Sequence, residues 1–158
     1  MAATTSSSAG RLIDLGPLVL RVVLGALMFA HGYQKLTSGP EGFSHLLAEL
    51  GVPAPAFMGY LVTYTELVAG ALLVVGLLSR LAALALTIEL VVAIVLVKAN
   101  IGLIAGHGSG AGAELDLAYL AGFLAILLAG PGRVSLDRLV GIERPSRGPM
   151  GTVSSTAW

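Results

Sequence analysis

The sequence predicts an all-α integral membrane protein: an antiparallel bundle of four transmembrane helices, with a short interfacial helix between helices 1 and 2. Of its 158 residues, 56% are hydrophobic and 11% are charged, whereas an ordinary soluble domain has about 25% charged residues. Four apolar segments follow one another along the chain, and a bilayer core requires about 20 residues per helix. Because open strands leave backbone groups unsatisfied in lipid, all four segments are predicted to be helices.

The four apolar segments define the domain organisation. They cover residues 13–36, 56–78, 81–99 and 115–129, and the last is near the lower length limit for a span. The first segment is too long for a signal-peptide core and has no clear small-x-small cleavage site, so it is predicted to be retained. We expect a disordered tail at residues 1–11, a membrane domain at 12–140 and a flexible tail at 141–158.

The connections between the segments differ in character. Ser79 and Arg80 allow only a tight turn, which makes helices 2 and 3 antiparallel neighbours. Residues 37–55 contain an amphipathic piece between glycine and proline residues, which is expected to lie flat as the interfacial helix. The glycine-rich connection at 100–113 contains His107, for which no role is predicted, and a short helix is expected at 134–140.

Basic residues give the orientation. One side of the predicted membrane domain carries Arg11, Arg80 and four arginines of the C-terminal segment, while the other carries Lys35 and Lys98. Because cytoplasmic loops are enriched in Lys and Arg, both termini are predicted to be cytoplasmic in a multi-pass protein of the plasma membrane.

The composition also limits the partners. The chain has 9 basic and 9 acidic residues, so membrane lipid is the expected environment and nucleic acid is not an expected partner. It has no cysteine, which excludes a thiolate nucleophile and cysteine-ligated metal. A redox role would therefore require a bound cofactor or redox partner subunits, and a homo-oligomer is a further candidate assembly.

At least three ionisable residues lie well inside the apolar segments, away from their ends. Arg21, Glu66 and Glu89 are each expected to face the bundle interior, because a charge at the bilayer centre costs about 2.5–3.5 kcal/mol. Small residues share their helical faces, as is typical of helix contacts in membranes. These faces comprise Gly25, Met28, Gly32 and Lys35 with Arg21; Gly59, Thr63 and Gly70 with Glu66; and Ala82, Ala85, Ala93 and Asn100 with Glu89. The sequence therefore predicts a buried Arg21, Glu66 and Glu89 cluster.

Two carboxylates with one arginine leave excess negative charge, which a low dielectric disfavours. One glutamate is therefore expected to keep a proton at neutral pH and is a candidate proton carrier. The alternative is a buried ion pair that only fixes the helix register.

A second polar group is predicted at the non-cytoplasmic ends of the helices, where His31, Gln34 and Lys35 form a candidate pocket. A neutral His31 could hydrogen-bond a quinone carbonyl or relay a proton. Snorkelling of Lys35 towards the interface is the alternative that involves no function. No metal is predicted because the histidines lack metal-ligand spacing, although His31 and His107 leave haem ligation open.

These residues resemble the DoxX family of small four-helix membrane proteins. The resemblance covers about residues 12–139 and rests on Arg21-x-x-x-Gly25, Phe29-x-His31-Gly32-x-x-Lys35-Leu36, Leu50-Gly51-Val52-Pro53, and Glu66-x-x-x-Gly70-x-Leu72-Leu73-x-x-Gly76-Leu77 with Arg80. It implies a redox role, since members resemble membrane subunits of thiosulfate:quinone oxidoreductases. Actinobacterial relatives are associated with a complex containing a superoxide dismutase and a sulfurtransferase.

The resemblance implies a membrane subunit of a quinone-linked oxidoreductase system concerned with sulfur or oxidative stress, with quinone as the expected cofactor. The residues do not assign catalysis to the chain alone, and no catalytic residue is predicted. The alternative function is a non-catalytic scaffold or a carrier of small solutes or protons, in which the ion cluster serves assembly.

Overall fold

The structure, a computed structural model, describes residues 6–98, 102–104 and 112–143. Its helices are α1 (Ser6–Ser38), α2 (Pro40–Glu49), α3 (Pro55–Val75), α4 (Ser79–Ala93), α5 (Glu114–Ala129) and α6 (Leu136–Leu139), and α4 continues as the π-helix Ile94–Lys98. The described part of the chain contains no strand. The predicted all-α class is therefore confirmed.

The boundaries agree with the apolar pattern except near the N-terminus. Because α1 begins at Ser6, residues 6–11 of the predicted N-terminal tail are helical. The interfacial helix and the short C-terminal helix both form, as α2 and α6. His107 and residues 144–158 of the predicted C-terminal tail lie outside the described residues.

In the part of the chain that the structure describes, three helices are long and apolar enough to cross a membrane. They are Leu15–Ser38, Pro55–Val75 and Ser79–Val97. The fourth apolar helix, α5, has 16 residues, which is below the usual length of a span. It nevertheless packs against both α4 and α1, while α3 packs against the same two helices.

Glycines bring α1 and α3 into close contact. A methyl group added at Gly25 would lie 2.8 Å from the Gly70 carbonyl oxygen, and one added at Gly32 would lie 2.7 Å from the Leu67 backbone nitrogen. Residues that come later in α1 therefore face residues that come earlier in α3, so the two helices are antiparallel. The predicted small-residue faces of these helices are confirmed, since Met28, Thr63 and Gly70 are all buried.

Apolar side chains fill the middle of the structure. Leu73, Leu86, Phe123 and Ile126 are fully buried there, and Met28 and Leu90 are nearly so. The face of α5 that carries small residues is mostly not the buried one: Gly122 is buried, whereas Ala118, Ala125 and Ala129 are exposed. Aromatic side chains of α5, Tyr119 and Phe123, fill that space instead.

The two ends of the helices carry different elements. We call the end that carries α2 the α2 end; there, α1 ends and α3 and α5 begin. The opposite end, which carries α6, is the tail end, where α3 ends and α4 begins with Ser79. A Schellman cap ends α3: Leu77 N–H donates to the Leu72 carbonyl over 3.0 Å, with Gly76 at a φ of 74°.

Gly25→Ala is expected to destabilise the protein by about 1–3 kcal/mol, because the added methyl overlaps the backbone of α3. Thermal unfolding in detergent, followed by far-ultraviolet circular dichroism, measures the effect. Gly16→Ala is the matched control in the same helix, since a methyl there meets nothing within 4 Å. Equal stability of the two variants would contradict the observed α1–α3 packing.

Candidate functional site

Lys35 and Glu66 form an ion pair in the half of the structure nearer the α2 end. The Lys35 ammonium donates to Oε1 of Glu66 over 2.5 Å. The side chain of Glu66 is only 6% exposed, whereas that of Lys35 is 23% exposed. One partner is thus buried between helices and the other reaches the surface.

Glu89 of α4 completes the group. Its carboxyl group lies close enough to Glu66 and Lys35 to interact electrostatically with both. Oε2 of Glu66 and Oε2 of Glu89 are both buried without a hydrogen-bond partner in the described structure. Buried polar atoms are normally paired, so two such oxygens beside one ammonium mark a place where a proton can be held. We call Lys35, Glu66 and Glu89 the charge cluster.

Arg21 does not contact the two glutamates. The prediction that Arg21 is the cation of the cluster is therefore wrong, and Lys35 takes that place. Its guanidinium packs against Gly76, ten residues along α3 from Glu66, a separation of about 15 Å at 1.5 Å per residue. An arginine side chain cannot reach that far. Lys35 lies on the same face of α1 but at the α2 end, and it occupies the position that the prediction gave to Arg21.

Arg21 instead holds the C-terminal segment. Its guanidinium donates to the carbonyl oxygens of Pro131 and Val134 over 2.9 and 2.8 Å, and Arg21 is only 2% exposed. Two backbone carbonyls thus bind its terminal nitrogens and the nearby carboxylate of Asp137 attracts it, while Nε of Arg21 is buried without a hydrogen-bond partner among the described residues.

Asp137 is a buried charged side chain for which the sequence pattern predicted no role. Its carboxylate accepts from the backbone N–H of Leu78 over 2.6 Å and of Ser79 over 2.8 Å, and its own N–H donates to the Gly76 carbonyl over 2.8 Å. Leu78 is the N-cap residue of α4 and has no capping side chain. Asp137 therefore caps α4 from 58 residues away. We use the name tail latch for Arg21, Asp137 and the backbone groups that they bind, which belong to Gly76, Leu78, Ser79, Pro131 and Val134.

The structure separates the predicted pocket residues. Lys35 turns inward to the charge cluster, whereas His31 and Gln34 are exposed. The His31 ring meets Tyr119 edge-on, with 6.3 Å between ring centroids, so it lies at the α1–α5 contact. His31 and Lys35 are thus one helical turn apart and contact different helices. Gln34 is exposed, so the three residues do not line one pocket.

Among the described residues, no group of three or more His, Cys, Asp or Glu side chains could hold a metal ion.

The lateral surface between α1 and α3 carries an apolar groove of about 490 Å³. Its lining residues are Phe29, Tyr64, Leu67, Val68, Ala71, Leu72 and Val75. The chemistry at the charge cluster is therefore that of two carboxyl groups and an ammonium beside an apolar surface.

The fold and this site define a small multi-span α-helical membrane protein with a buried charge cluster. The sequence profile of the DoxX family matches residues 16–99, which include all three members of the cluster. The chain belongs to the DoxX family. Asp137 of the tail latch lies outside the matched region.

Three curated relatives cover most of the chain. The uncharacterized membrane protein Rv3486 of Mycobacterium tuberculosis is 34% identical over 77% of this chain and 78% of its own length. The "Putative oxidoreductase CatD" of Bacillus subtilis is 31% identical, over 80% of this chain and 88% of its own. The inner membrane protein YqjF of Escherichia coli is 30% identical, over 82% and 95%. No solved structure matches the chain.

Proposed function

We propose that the chain is a membrane subunit of a quinone-linked oxidoreductase system concerned with sulfur or oxidative stress, and that the charge cluster holds and transfers its protons. The observation that carries the proposal is the ion pair of Lys35 with the buried Glu66 of α3, together with a second carboxyl group, that of Glu89 on α4, which interacts electrostatically with both. The relative named as an oxidoreductase supports the redox part. A chain without cysteine needs a cofactor or a partner to exchange electrons.

Lys35 and His31 are the candidate polar contacts of a quinone headgroup near the α2 end. Lys35 is a donor that is partly exposed, and His31 is an exposed donor or acceptor one turn away. The apolar groove beside α1 suits a hydrocarbon tail. A bound quinone supplies two-electron, two-proton redox chemistry. The chain's own part is to hold one proton between Glu66 and Glu89 and to balance the remaining charge with Lys35.

The proposal includes a placement in the membrane. We propose that α1, α3, α4 and α5 form an antiparallel four-helix bundle across the plasma membrane, with both termini cytoplasmic. The lateral surface supports this, since Leu81, Ile88 and Leu128 are exposed on it, as expected for side chains that meet lipid. The exposed Arg80 and Arg133 lie at the tail end, which makes that end cytoplasmic by the positive-inside rule.

Glu66→Gln is expected to lower quinone-linked turnover at least about tenfold, because an amide cannot accept and release a proton. Membranes carrying each variant are assayed for quinone reduction, and gently solubilised protein is examined by mass spectrometry for bound quinone and partner subunits. Glu49→Gln is the matched control, since Glu49 is exposed on α2 at the same end.

Wild-type turnover in the Glu66→Gln variant would contradict the proposed role of the charge cluster. A homo-oligomer that contains neither quinone nor a redox partner would favour the alternative function, a scaffold or small-solute carrier.

A further inference from the structure

We propose that α2 is a movable cap over the charge cluster, and that Phe43 is the positioning residue through which α2 holds the Lys35 ammonium on Glu66. Water and solutes then reach the buried carboxyl groups of Glu66 and Glu89 only from the α2 end, when α2 lifts. This inference rests on the cluster being the working site of the proposed function, but its test measures access rather than redox chemistry.

The contacts of α2 place it over the cluster. The Lys35 ammonium lies 4.6 Å from the centroid of the Phe43 ring, within the range of a cation–π interaction. The same ammonium donates to Glu66. Phe43 and Glu66 therefore hold Lys35 from two sides, and α2 has to stay in place for Phe43 to do so.

Two further contacts seat α2 on α3. A methyl group at Gly59 would overlap the Ser44 side chain, so the two helices touch closely at this point. Gly59 and Thr63 lie on the same face of α3 as Glu66, and all three are buried. Where α2 packs on α3, it therefore covers the path by which water would reach Glu66 along that face from the α2 end.

The connections of α2 suit a cap that moves as one body. Gly39, at its start, has a φ of 87°, and Gly51 and Ala54, after its end, have φ values of 72° and 49°. Leu47 is the one buried residue among the ten of α2. The backbone thus turns sharply on both sides of a helix that has little buried surface to lose on lifting.

The other approach to the cluster is closed. Between it and the tail end lies the apolar layer of Leu73, Leu86, Phe123 and Ile126, all fully buried. Beyond this layer Arg21 and Asp137 are committed to backbone groups of the tail latch. The described residues therefore offer a polar path on one side only.

The chain has no cysteine, so a single introduced thiol reports access without background. Thr63→Cys is a nearly isosteric reporter beneath α2, and Ser79→Cys is the matched control, equally buried at the tail end. Both are exposed to a membrane-impermeant, positively charged methanethiosulfonate reagent in vesicles of either orientation. We expect Thr63→Cys to be modified only from the side of the α2 end.

Phe43→Ala is expected to speed modification of Thr63→Cys at least about threefold, the factor that corresponds to ~0.7 kcal/mol of lost cation–π attraction. It should leave the rate at Ser79→Cys unchanged. Modification of Thr63→Cys from the tail side, or no change in its rate with Phe43→Ala, would overturn the proposal.

A second measurement covers the case in which the cysteine variants do not fold. Hydrogen exchange with mass spectrometry compares the cysteine-free chain with Phe43→Ala, and faster exchange is expected in residues 40–49 and not in residues 79–90. Unchanged exchange in α2 would also overturn the proposal. A cap confirmed alongside wild-type turnover in Glu66→Gln would leave the access route correct and the proposed function wrong.

Discussion

Asp137→Ala is expected to destabilise the protein by about 2–4 kcal/mol, because two backbone N–H groups lose their acceptor and each buried donor left unsatisfied costs about 1–3 kcal/mol. Asp137 is 1% exposed, and its loss leaves the N–H groups of Leu78 and Ser79 without acceptors at the start of α4. It also removes the electrostatic attraction between the Asp137 carboxylate and the Arg21 guanidinium. Thermal unfolding in detergent, followed by circular dichroism, gives the difference in stability.

Glu143→Ala is the control for this substitution, because it removes a carboxylate of the same C-terminal segment. Glu143 pairs with Arg80, and that arginine side chain is 48% exposed. An exposed pair of this kind contributes about 0–1 kcal/mol. If Asp137→Ala were no more destabilising than Glu143→Ala, Asp137 would not be the cap of α4 in the membrane protein.

Lys35→Met is expected to destabilise the protein by about 2 kcal/mol, less than loss of a fully buried partner because the lysine side chain is partly exposed. Methionine keeps most of the volume of the side chain and removes its charge. Glu66 is then left buried with a second carboxyl group beside it. Thermal unfolding in detergent measures the change, together with turnover in membranes.

Gln34→Met is the matched control, since it places the same side chain at the neighbouring, exposed position of α1. It should have wild-type stability and turnover. Lys35→Arg should recover part of both, because it keeps the positive charge. If Lys35→Met and Gln34→Met behaved alike, Lys35 would be a snorkelling residue without a role in the charge cluster.

Hydropathy and small residues predicted most of the fold. All four apolar segments and the amphipathic piece at 37–55 became helices, close to their expected bounds except at the start of α1. In lipid, an apolar segment can satisfy its own backbone groups only as a helix. Glycines on the faces of Arg21 and Glu66 predicted the α1–α3 contact for a physical reason: only glycine allows such close approach.

The partners of the buried charges were harder to predict. Which residues of two helices lie side by side depends on how far one helix is shifted along the other. Both Arg21 and Lys35 lie on the buried face of α1, and the pattern alone cannot choose between them. The position of α1 along α3 is set by the contact of Gly25 with Gly70. Once that contact is known, Lys35 is the cation that reaches Glu66.

Asp137 could not be found by local patterns, because it caps a helix that begins 58 residues earlier. In the structure the residues before α4 are Leu77 and Leu78, and neither side chain can accept a hydrogen bond from the start of the helix. The acceptor comes instead from a segment that only the folded structure brings to this point.

The measurement that tests the charge cluster most directly is a double-mutant cycle of Lys35→Met and Glu66→Gln, with unfolding free energies measured in one detergent. The two residues contact each other at 2.5 Å, so each single variant should be destabilised, and the double variant should be more stable than the sum of the two effects predicts, by at least about 1 kcal/mol. Additive effects within about 0.5 kcal/mol would show that the two side chains do not interact, and would contradict the account.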